Sequence, residues 1–135
     1  MRTQIFVNLA VEDLKRSVDF FSKLGYQFNP QYTDENAACM IVSDEIFVML
    51  LLKKFFKTFT KKEIADSART TESIIALSVE SREKVDELVR KALSSGGKPS
   101  NDVQDHGWMY VHSFQDPDGH LWETFYMDPA GMPQE

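Results

Sequence analysis

Two stretches of this sequence carry the same order of predicted strands and helix, which leaves few folds open to the chain. Residues 1–52 and residues 73–128 each predict the order β-α-β-β-β. The stretches also share letters, since Leu9–Glu12 (LAVE) precedes the first helix and Leu77–Glu80 (LSVE) precedes the second. We therefore expect one domain of 135 residues and class α+β, in which two modules form a curved mixed sheet around one central cavity.

Both predicted helices are bounded by the residue types that begin and end helices. Glu12-Asp13 offers an N-cap for the first helix and Ser81 for the second, and Gly25 and Gly96-Gly97 suit the positions after the last turns. Between the modules, residues 53–72 lose the pattern and are polar and basic, with a short helix expected around residues 61–68. This segment is either a lid over the cavity, whose lysines attract an anionic ligand, or a linker that packs on the outer surface.

A tight turn is predicted at Asp116-Pro117-Asp118-Gly119, so the strands at residues 108–115 and 120–127 form a β-hairpin. On the second strand Glu123 alternates onto the same face as Leu121 and Phe125. A carboxylate between apolar neighbours on a buried face is costly unless something pairs with it. Glu123 is therefore the leading candidate for ligand binding or for general acid or base catalysis.

Composition excludes several classes of partner. A net charge of −6 argues against nucleic acid, because phosphate binding needs a basic face. The apolar runs are of strand length, so we expect no membrane association, and the start of the chain shows no signal-peptide pattern, so we expect a cytoplasmic protein. The single cysteine, Cys39, lies in an apolar run and is expected to be a buried, inert thiol.

Residues 9–21, 75–79 and above all 114–123 (FQDPDGHLWE) resemble the vicinal oxygen chelate superfamily. This superfamily includes glyoxalase I, the bleomycin and fosfomycin resistance proteins and extradiol dioxygenases, and the sequence looks nearest to bacterial proteins related to lactoylglutathione lyase. The resemblance covers the chain except residues 53–72. It implies the paired-module fold and a homodimer.

Metal enzymes of the superfamily take one ligand from each of four strands, and the resemblance places those positions at Phe6, Met49, Ile74 and Glu123. A catalytic metal needs about three protein ligands of suitable type. Only Glu123 is of the kind that holds a divalent ion, so a metal is disfavoured and no cofactor is expected. The alternative is a shifted metal site in which Glu123 joins an imidazole. The candidates for that imidazole are His106, His112 and His120.

Around Glu123, the expected lining of the ligand pocket combines apolar, aromatic and polar side chains from both modules. These residues are Phe6, Asn8, Met49, Ile74, Tyr110, His112 and Phe125. In a simpler interpretation Glu123 is an inherited remnant that hydrogen-bonds to Tyr110, Trp108 or Asn8.

Three functions follow from this pocket. The first is metal-free binding of a small, anionic or aromatic molecule, as in the bleomycin resistance proteins. The second is a lyase or isomerase of glyoxalase type, with a rebuilt metal site or with Glu123 as the general base. The third is a protein-interaction module whose cavity is filled. Stoichiometric metal content is the cheapest measurement that separates the metal lyase from the other two.

Overall fold

A computed structural model describes residues 2–131, and these divide into two compact units whose boundary falls between Ala65 and Asp66. Each unit contains one sheet and one long helix, which confirms the α+β class. The first unit has the predicted order β-α-β-β-β, and the second has the same order with one additional short strand. The strands form two separate sheets, one for each unit, and neither sheet closes into a barrel within the described residues. No helix in this part of the chain is long and apolar enough to cross a membrane.

The first unit contains a four-stranded sheet with one long helix. Its elements are β1 (Ile5–Val11), α1 (Leu14–Lys23), β2 (Gln27–Asn29), β3 (Ala37–Ile41), β4 (Ile46–Leu52) and α2 (Lys53–Phe56). The strand order is β1-β4-β3-β2, with β1 parallel to β4 and the other pairs antiparallel. The strands β1 and β4 have the limits that the sequence predicts from a loosely alternating run at residues 5–11 and a continuous apolar run at residues 46–52.

Helix α1 begins at a capping residue and packs its apolar side chains against the sheet. The Asp13 carboxylate accepts a hydrogen bond from the Arg16 backbone N–H at 3.1 Å, which satisfies one free donor of the first turn. The helix buries Phe20 and Phe21 completely, together with Leu24. It packs against β3 and β4, and this apolar layer fixes the sheet and leaves the opposite sheet face without a helix.

Residues 61–68 are not helical, so the prediction of a short helix there is wrong. Helical turns instead follow β4 directly, as α2 and then a 3-10 turn at Lys57–Phe59. Further along, the Asp66 side chain accepts a hydrogen bond from the Ala68 N–H at 3.2 Å, and the Thr70 hydroxyl donates to the Asp66 carbonyl at 3.1 Å. Such local side-chain bonds favour turns over a continued helix.

The second unit repeats the arrangement with a longer helix. Its elements are β5 (Ile74–Ser78), α3 (Arg82–Ser94), β6 (Lys98–Pro99), β7 (Gln104–Asp105), β8 (Met109–Gln115) and β9 (Leu121–Met127). The order is β5-β9-β8-β6, and β7 also pairs with β8. The sequence pattern predicts one weak strand at residues 98–104, and the structure has two short strands there instead. The pattern also predicts a frayed tail at residues 128–135. Within it, Pro129–Gly131 form a 3-10 turn, and residues 132–135 lie outside the described residues.

The turn between β8 and β9 is organised by a buried carboxylate. Asp116 is 3% exposed, and its carboxylate accepts hydrogen bonds from the backbone N–H groups of Asp118 and His120 and from the Trp122 indole, each at 3.0 Å. Burial raises the pKa of Asp116, against the opposing effects of the nearby His120 charge and of these donors. The Trp122 ring is buried and stacks on the Phe114 ring.

Candidate functional site

The sheet face of the first unit that α1 leaves open contains a pocket of about 480 Å³. Its lining combines aromatic rings, sulfur atoms and neutral polar side chains. These residues are Gln4, Phe6, Asn29, Tyr32, Cys39, Phe47 and Met49. Phe6 and Met49, which the sequence assigned to the ligand pocket, are both present.

Strand register explains why these side chains meet. Cys39 is opposite Met49 on the neighbouring strand, and Asn29 is opposite Cys39 on the next, so the three form a row across the sheet. Phe6 is opposite Phe47 on the parallel pair β1 and β4. Residues paired across adjacent strands point to the same face, so all five side chains share the open face.

An aromatic pair forms one wall of the pocket and sulfur atoms line another part. The Phe6 and Phe47 rings stack with centroids 4.7 Å apart and planes 12° apart, and Phe6 is 43% exposed. Burial raises the pKa of the Cys39 thiol, which therefore stays neutral, as expected of an inert thiol. Among the described residues the lining contains no Asp, Glu, Lys, Arg or His, so the pocket suits an uncharged apolar molecule.

Asn8 lies on the same face, opposite Met49, but does not line the pocket. Its side-chain amide donates a hydrogen bond to the carbonyl of Phe6, two residues back on the same strand, at 3.1 Å. The polar groups at the pocket are instead those of Gln4, Asn29 and Tyr32, which sequence reasoning missed. Alternation from Met49 would have found Phe47, but no local pattern indicates that β2 and its following turn complete the wall.

Glu123 lies in the second unit, on the face of the sheet opposite to α3. It is half-buried and sits between Ala76 of β5 and Ser113 of β8. Ile74 and Phe125, also assigned to the ligand pocket by the sequence, lie on this face through their pairing with Leu121 and Ser78. The structure thus brings Glu123, Ile74 and Phe125 onto one surface. Within residues 2–131, the Glu123 carboxylate makes no hydrogen bond or ion pair.

Tyr110 and His112 lie on the helix-facing side of the same sheet, so the expectation that they line a pocket beside Glu123 is corrected. His112 pairs with Thr124 and not with Glu123, which places it on the other face. The Tyr110 hydroxyl donates a hydrogen bond to the Asp86 carboxylate of α3 at 2.7 Å, and this bond raises the pKa of Tyr110 to about 12. His112 Nδ1 is buried and lies 3.7 Å from the same carboxylate.

An ion pair next to Tyr110 holds the loop that enters β8. The Arg82 guanidinium binds both oxygens of Asp105 at 2.9 and 3.0 Å, donates to the Gly107 carbonyl at 2.9 Å and lies over the Tyr110 ring. This pair, with the Gly107 N–H, lowers the pKa of Asp105 to about 2. These residues anchor the loop to α3, and Tyr110 lies on the face of the sheet opposite to Glu123.

The donor set does not fit a divalent metal ion. The positions that the resemblance assigns to metal ligands hold Phe6, Met49, Ile74 and Glu123, and only the last has a hard donor. In the described part of the chain no three His, Cys, Asp or Glu side chains come close enough to hold an ion. His112 lies on the other face of the sheet from Glu123, so the structure does not bring these two together, and a shifted site with His106 or His120 remains a prediction.

Comparisons with known proteins agree with the fold. A family model described as "Glyoxalase/Bleomycin resistance protein/Dioxygenase superfamily" matches residues 4–124. Among solved structures, the hypothetical protein SA1046 from S. aureus is 28% identical, with a TM-score of 0.78 over 93% of this chain and 95% of that chain. No curated protein sequence matches the chain significantly.

Two further solved structures share the fold at lower identity. A glyoxalase-related enzyme from Fulvimarina pelagi is 17% identical, with a TM-score of 0.78 over 93% of this chain and 88% of that chain. A bleomycin resistance determinant encoded on the transposon Tn5 is 16% identical, with a TM-score of 0.64 over 93% of this chain and 98% of that chain.

Proposed function

This chain belongs to the Glyoxalase/Bleomycin resistance protein/Dioxygenase superfamily, and from that premise we propose that it binds a small, uncharged, planar aromatic molecule. The binding site is the open pocket of the first module. The superfamily contains both enzymes and resistance proteins that bind small molecules, so the choice between them rests on the site and not on the fold.

The observation that carries the proposal is the stacked pair of Phe6 and Phe47 beside a pocket of about 480 Å³. A volume of this size accommodates a drug-sized ligand. The exposed ring of Phe6 offers a flat surface on which a second aromatic ring can stack, and such contacts contribute about 0.5–1.5 kcal/mol beyond the burial of area. The polarizable sulfur of Met49 adds favourable contacts with ring edges.

Neutral polar groups of the lining orient the ligand. The Tyr32 hydroxyl and the Gln4 amide make no side-chain hydrogen bond within residues 2–131, so both can donate to or accept from a bound molecule. The Asn29 side chain is partly committed, because its oxygen accepts from the Gln31 N–H at 2.9 Å. Without a charged side chain, the pocket favours a neutral ligand over the anionic one that the sequence left open.

A matched pair of probes tests the proposal. Naphthalenemethanol and its anionic counterpart naphthoate have the same ring system, so titration of the chain with each, followed by calorimetry and thermal shift, isolates the effect of charge. We expect the neutral probe to bind and raise Tm, and the anion to bind at least about tenfold more weakly, which corresponds to roughly 1.4 kcal/mol.

The Phe6→Ala variant removes the exposed stacking ring and should lower the affinity for the neutral probe by about tenfold. Phe59→Ala is the control, because Phe59 is an exposed phenylalanine of the same unit that does not line the pocket. Preferential binding of naphthoate, or equal affinities for Phe6→Ala and Phe59→Ala, would contradict the proposal.

A second candidate function is a metal-free lyase or isomerase of glyoxalase type that uses Glu123 as general base. It is favoured by one observation, that the half-buried Glu123 carboxylate lies on an open sheet face without a partner in the described residues. Glu123→Gln keeps the size of the side chain and removes its basicity. If turnover of any hemithioacetal substrate is found, this variant should abolish it, and retention of turnover excludes Glu123 as the base.

A further inference from the structure

The basic–aromatic segment, residues 53–62, is the strongest surface feature that the ligand pocket does not use. It contains five lysines, three phenylalanines and no acidic residue, in a chain whose formal net charge is −6. One third of the fifteen basic residues is therefore concentrated in these ten positions. None of the described residues that line the pocket belongs to it.

Contacts within the segment hold it in a defined shape. The Lys57 ammonium donates to the Lys62 carbonyl at 2.6 Å, and the Thr58 hydroxyl donates to the Phe55 carbonyl at 2.7 Å. The rings of Phe55 and Phe59 meet edge to face, with centroids 5.1 Å apart and an interplanar angle of 82°. Because the surface is already ordered, a partner that binds it loses little of its binding energy to ordering the segment.

Phe59 projects from this ordered surface into solvent. It is 69% exposed, the highest value among the large exposed hydrophobic side chains of the described residues. Lys54, Lys57 and Lys61 are exposed as well, whereas Lys53 is bound to Glu12 at 2.8 Å. An exposed aromatic ring surrounded by lysines forms a surface that suits a partner with both acidic and apolar side chains.

We infer that residues 53–62 dock an acidic peptide segment of a partner protein, one that offers carboxylates to the lysines and an apolar side chain to Phe59. Charge distribution favours a short segment over an extended polyanion. Electrostatic interactions are screened beyond about 8–10 Å in physiological salt, so the lysines act locally. A membrane or a nucleic acid would also face the acidic remainder of the chain, which repels it.

The test uses the full chain and a fluorescently labelled synthetic peptide, rich in Glu and Asp around one central leucine, with binding followed by anisotropy. The charge-reversed variant Lys54→Glu/Lys61→Glu should weaken binding by at least about tenfold, and Phe59→Ser by several-fold. These lysines make no structural hydrogen bond in the described residues, and unchanged Tm shows that each variant folds. Lys15→Glu/Lys98→Glu is the matched control, since these lysines lie outside the segment, and it should bind as the unaltered chain does.

Several results would overturn the inference. One is absence of peptide binding at low salt, and another is equal loss of affinity in the two double variants. If Phe59→Ser binds the peptide as tightly as the unaltered chain does, the binding is unspecific charge attraction, and this result would also overturn the inference. Tighter binding to phosphatidylglycerol-rich vesicles or to single-stranded DNA than to the peptide would assign the segment to another class of partner. Binding of naphthalenemethanol should be the same in all these variants.

Discussion

Asp116 illustrates how one buried side chain fixes local structure in this molecule. Its carboxylate accepts three hydrogen bonds, two from backbone N–H groups of the turn and one from the Trp122 indole. The sequence predicts the turn, because Pro117 and Gly119 suit its geometry. It does not predict that the carboxylate is buried or that it binds Trp122, since that contact depends on the packing of β9 against α3.

Asp116→Ala should destabilise the fold by about 2–4 kcal/mol, because it leaves buried N–H donors without acceptors. We expect calorimetry to show Tm lowered by roughly 5–15 °C. Asp116→Asn should destabilise the fold less. Its side-chain oxygen can still accept from the two turn N–H groups, whereas its NH2 group faces the Trp122 N–H and cannot accept from it. The control is Asp44→Ala, at an exposed turn position of the first unit. A loss in Asp116→Ala no larger than in this control contradicts a structural role for the carboxylate.

Tyr110 provides a prediction about pH. The hydrogen bond to Asp86 raises its pKa to about 12, above the value of 10.0 for an ordinary tyrosine. Because the folded pKa is the higher one, the stability from this bond is complete below pH 10 and is lost as the pH rises towards 12. Asp86→Asn should move the Tyr110 transition, followed by tyrosinate absorbance, back towards 10. Glu83→Gln, on the same helix, should leave it unchanged, and a similar shift in both variants would exclude Asp86 as the cause.

At the scale of elements, the length of one turn decides which side chains share a face. A four-residue turn at 116–119 would pair Gln115 with His120 and would place His112 opposite Glu123. The actual turn has five residues, because the His120 N–H bonds to Asp116, and Gln115 pairs with Leu121 instead. A shift of one residue moves every side chain of a strand to the other face, which is why alternation alone misassigned Tyr110 and His112.

Elsewhere the sequence predicted elements well. The limits of β1 and β4 and the caps of α1 and α3 follow from apolar runs of strand length, capping residues and glycine. The pocket could be predicted only in part. Phe6 and Met49 came from the family resemblance, whereas Asn29 and Tyr32 reach the pocket through the pairing of β2 with β3, a contact between segments that local patterns do not encode.

The turn glycine Gly119 tests a contact between elements. It has φ +88°, and a Cβ there would lie 2.5 Å from the Ser67 carbonyl oxygen, whose residue also donates its hydroxyl to the Asp118 carbonyl. Gly25 has a similar φ of +107° but no atom within 4 Å of an added Cβ. Gly119→Ala should therefore lower the free energy of unfolding by more than Gly25→Ala, which costs about 1 kcal/mol from backbone strain alone. Equal losses in denaturant titrations would mean that the segment around Ser67 simply moves away.

At the scale of the whole molecule, duplication supplies two similar sheets that differ in chemistry. The first unit has an uncharged aromatic pocket, and the second has a lone carboxylate on its open face. The division of these features between the units follows from the residues at equivalent positions, which are Phe6 in the first unit and Ile74 in the second. The resemblance predicts the class and the element order but not the ligand, because the side chains that line the pocket are specific to this chain.

The homodimer expected from the resemblance remains a prediction. Ile5 and Ile74, on the strands β1 and β5, are about half-exposed, and such apolar strand residues are typical of surfaces that a second copy covers. Sedimentation velocity should give about twice the chain mass of 15.5 kDa, and Ile74→Ser should shift the protein towards monomer without lowering secondary structure. Val103→Ser, at an exposed loop valine, is the control. A single 15.5 kDa species in the unaltered protein would rule out a stable dimer.

Met49 makes the pocket sensitive to oxidation. Peroxide converts its thioether to a sulfoxide, which is polar where the site is apolar. Cys39, opposite Met49 on the adjacent strand, is a buried neutral thiol and therefore reacts less readily. A preparation exposed to peroxide should lose ligand affinity while its circular dichroism stays unchanged, and intact-mass verification before every titration detects the added oxygen.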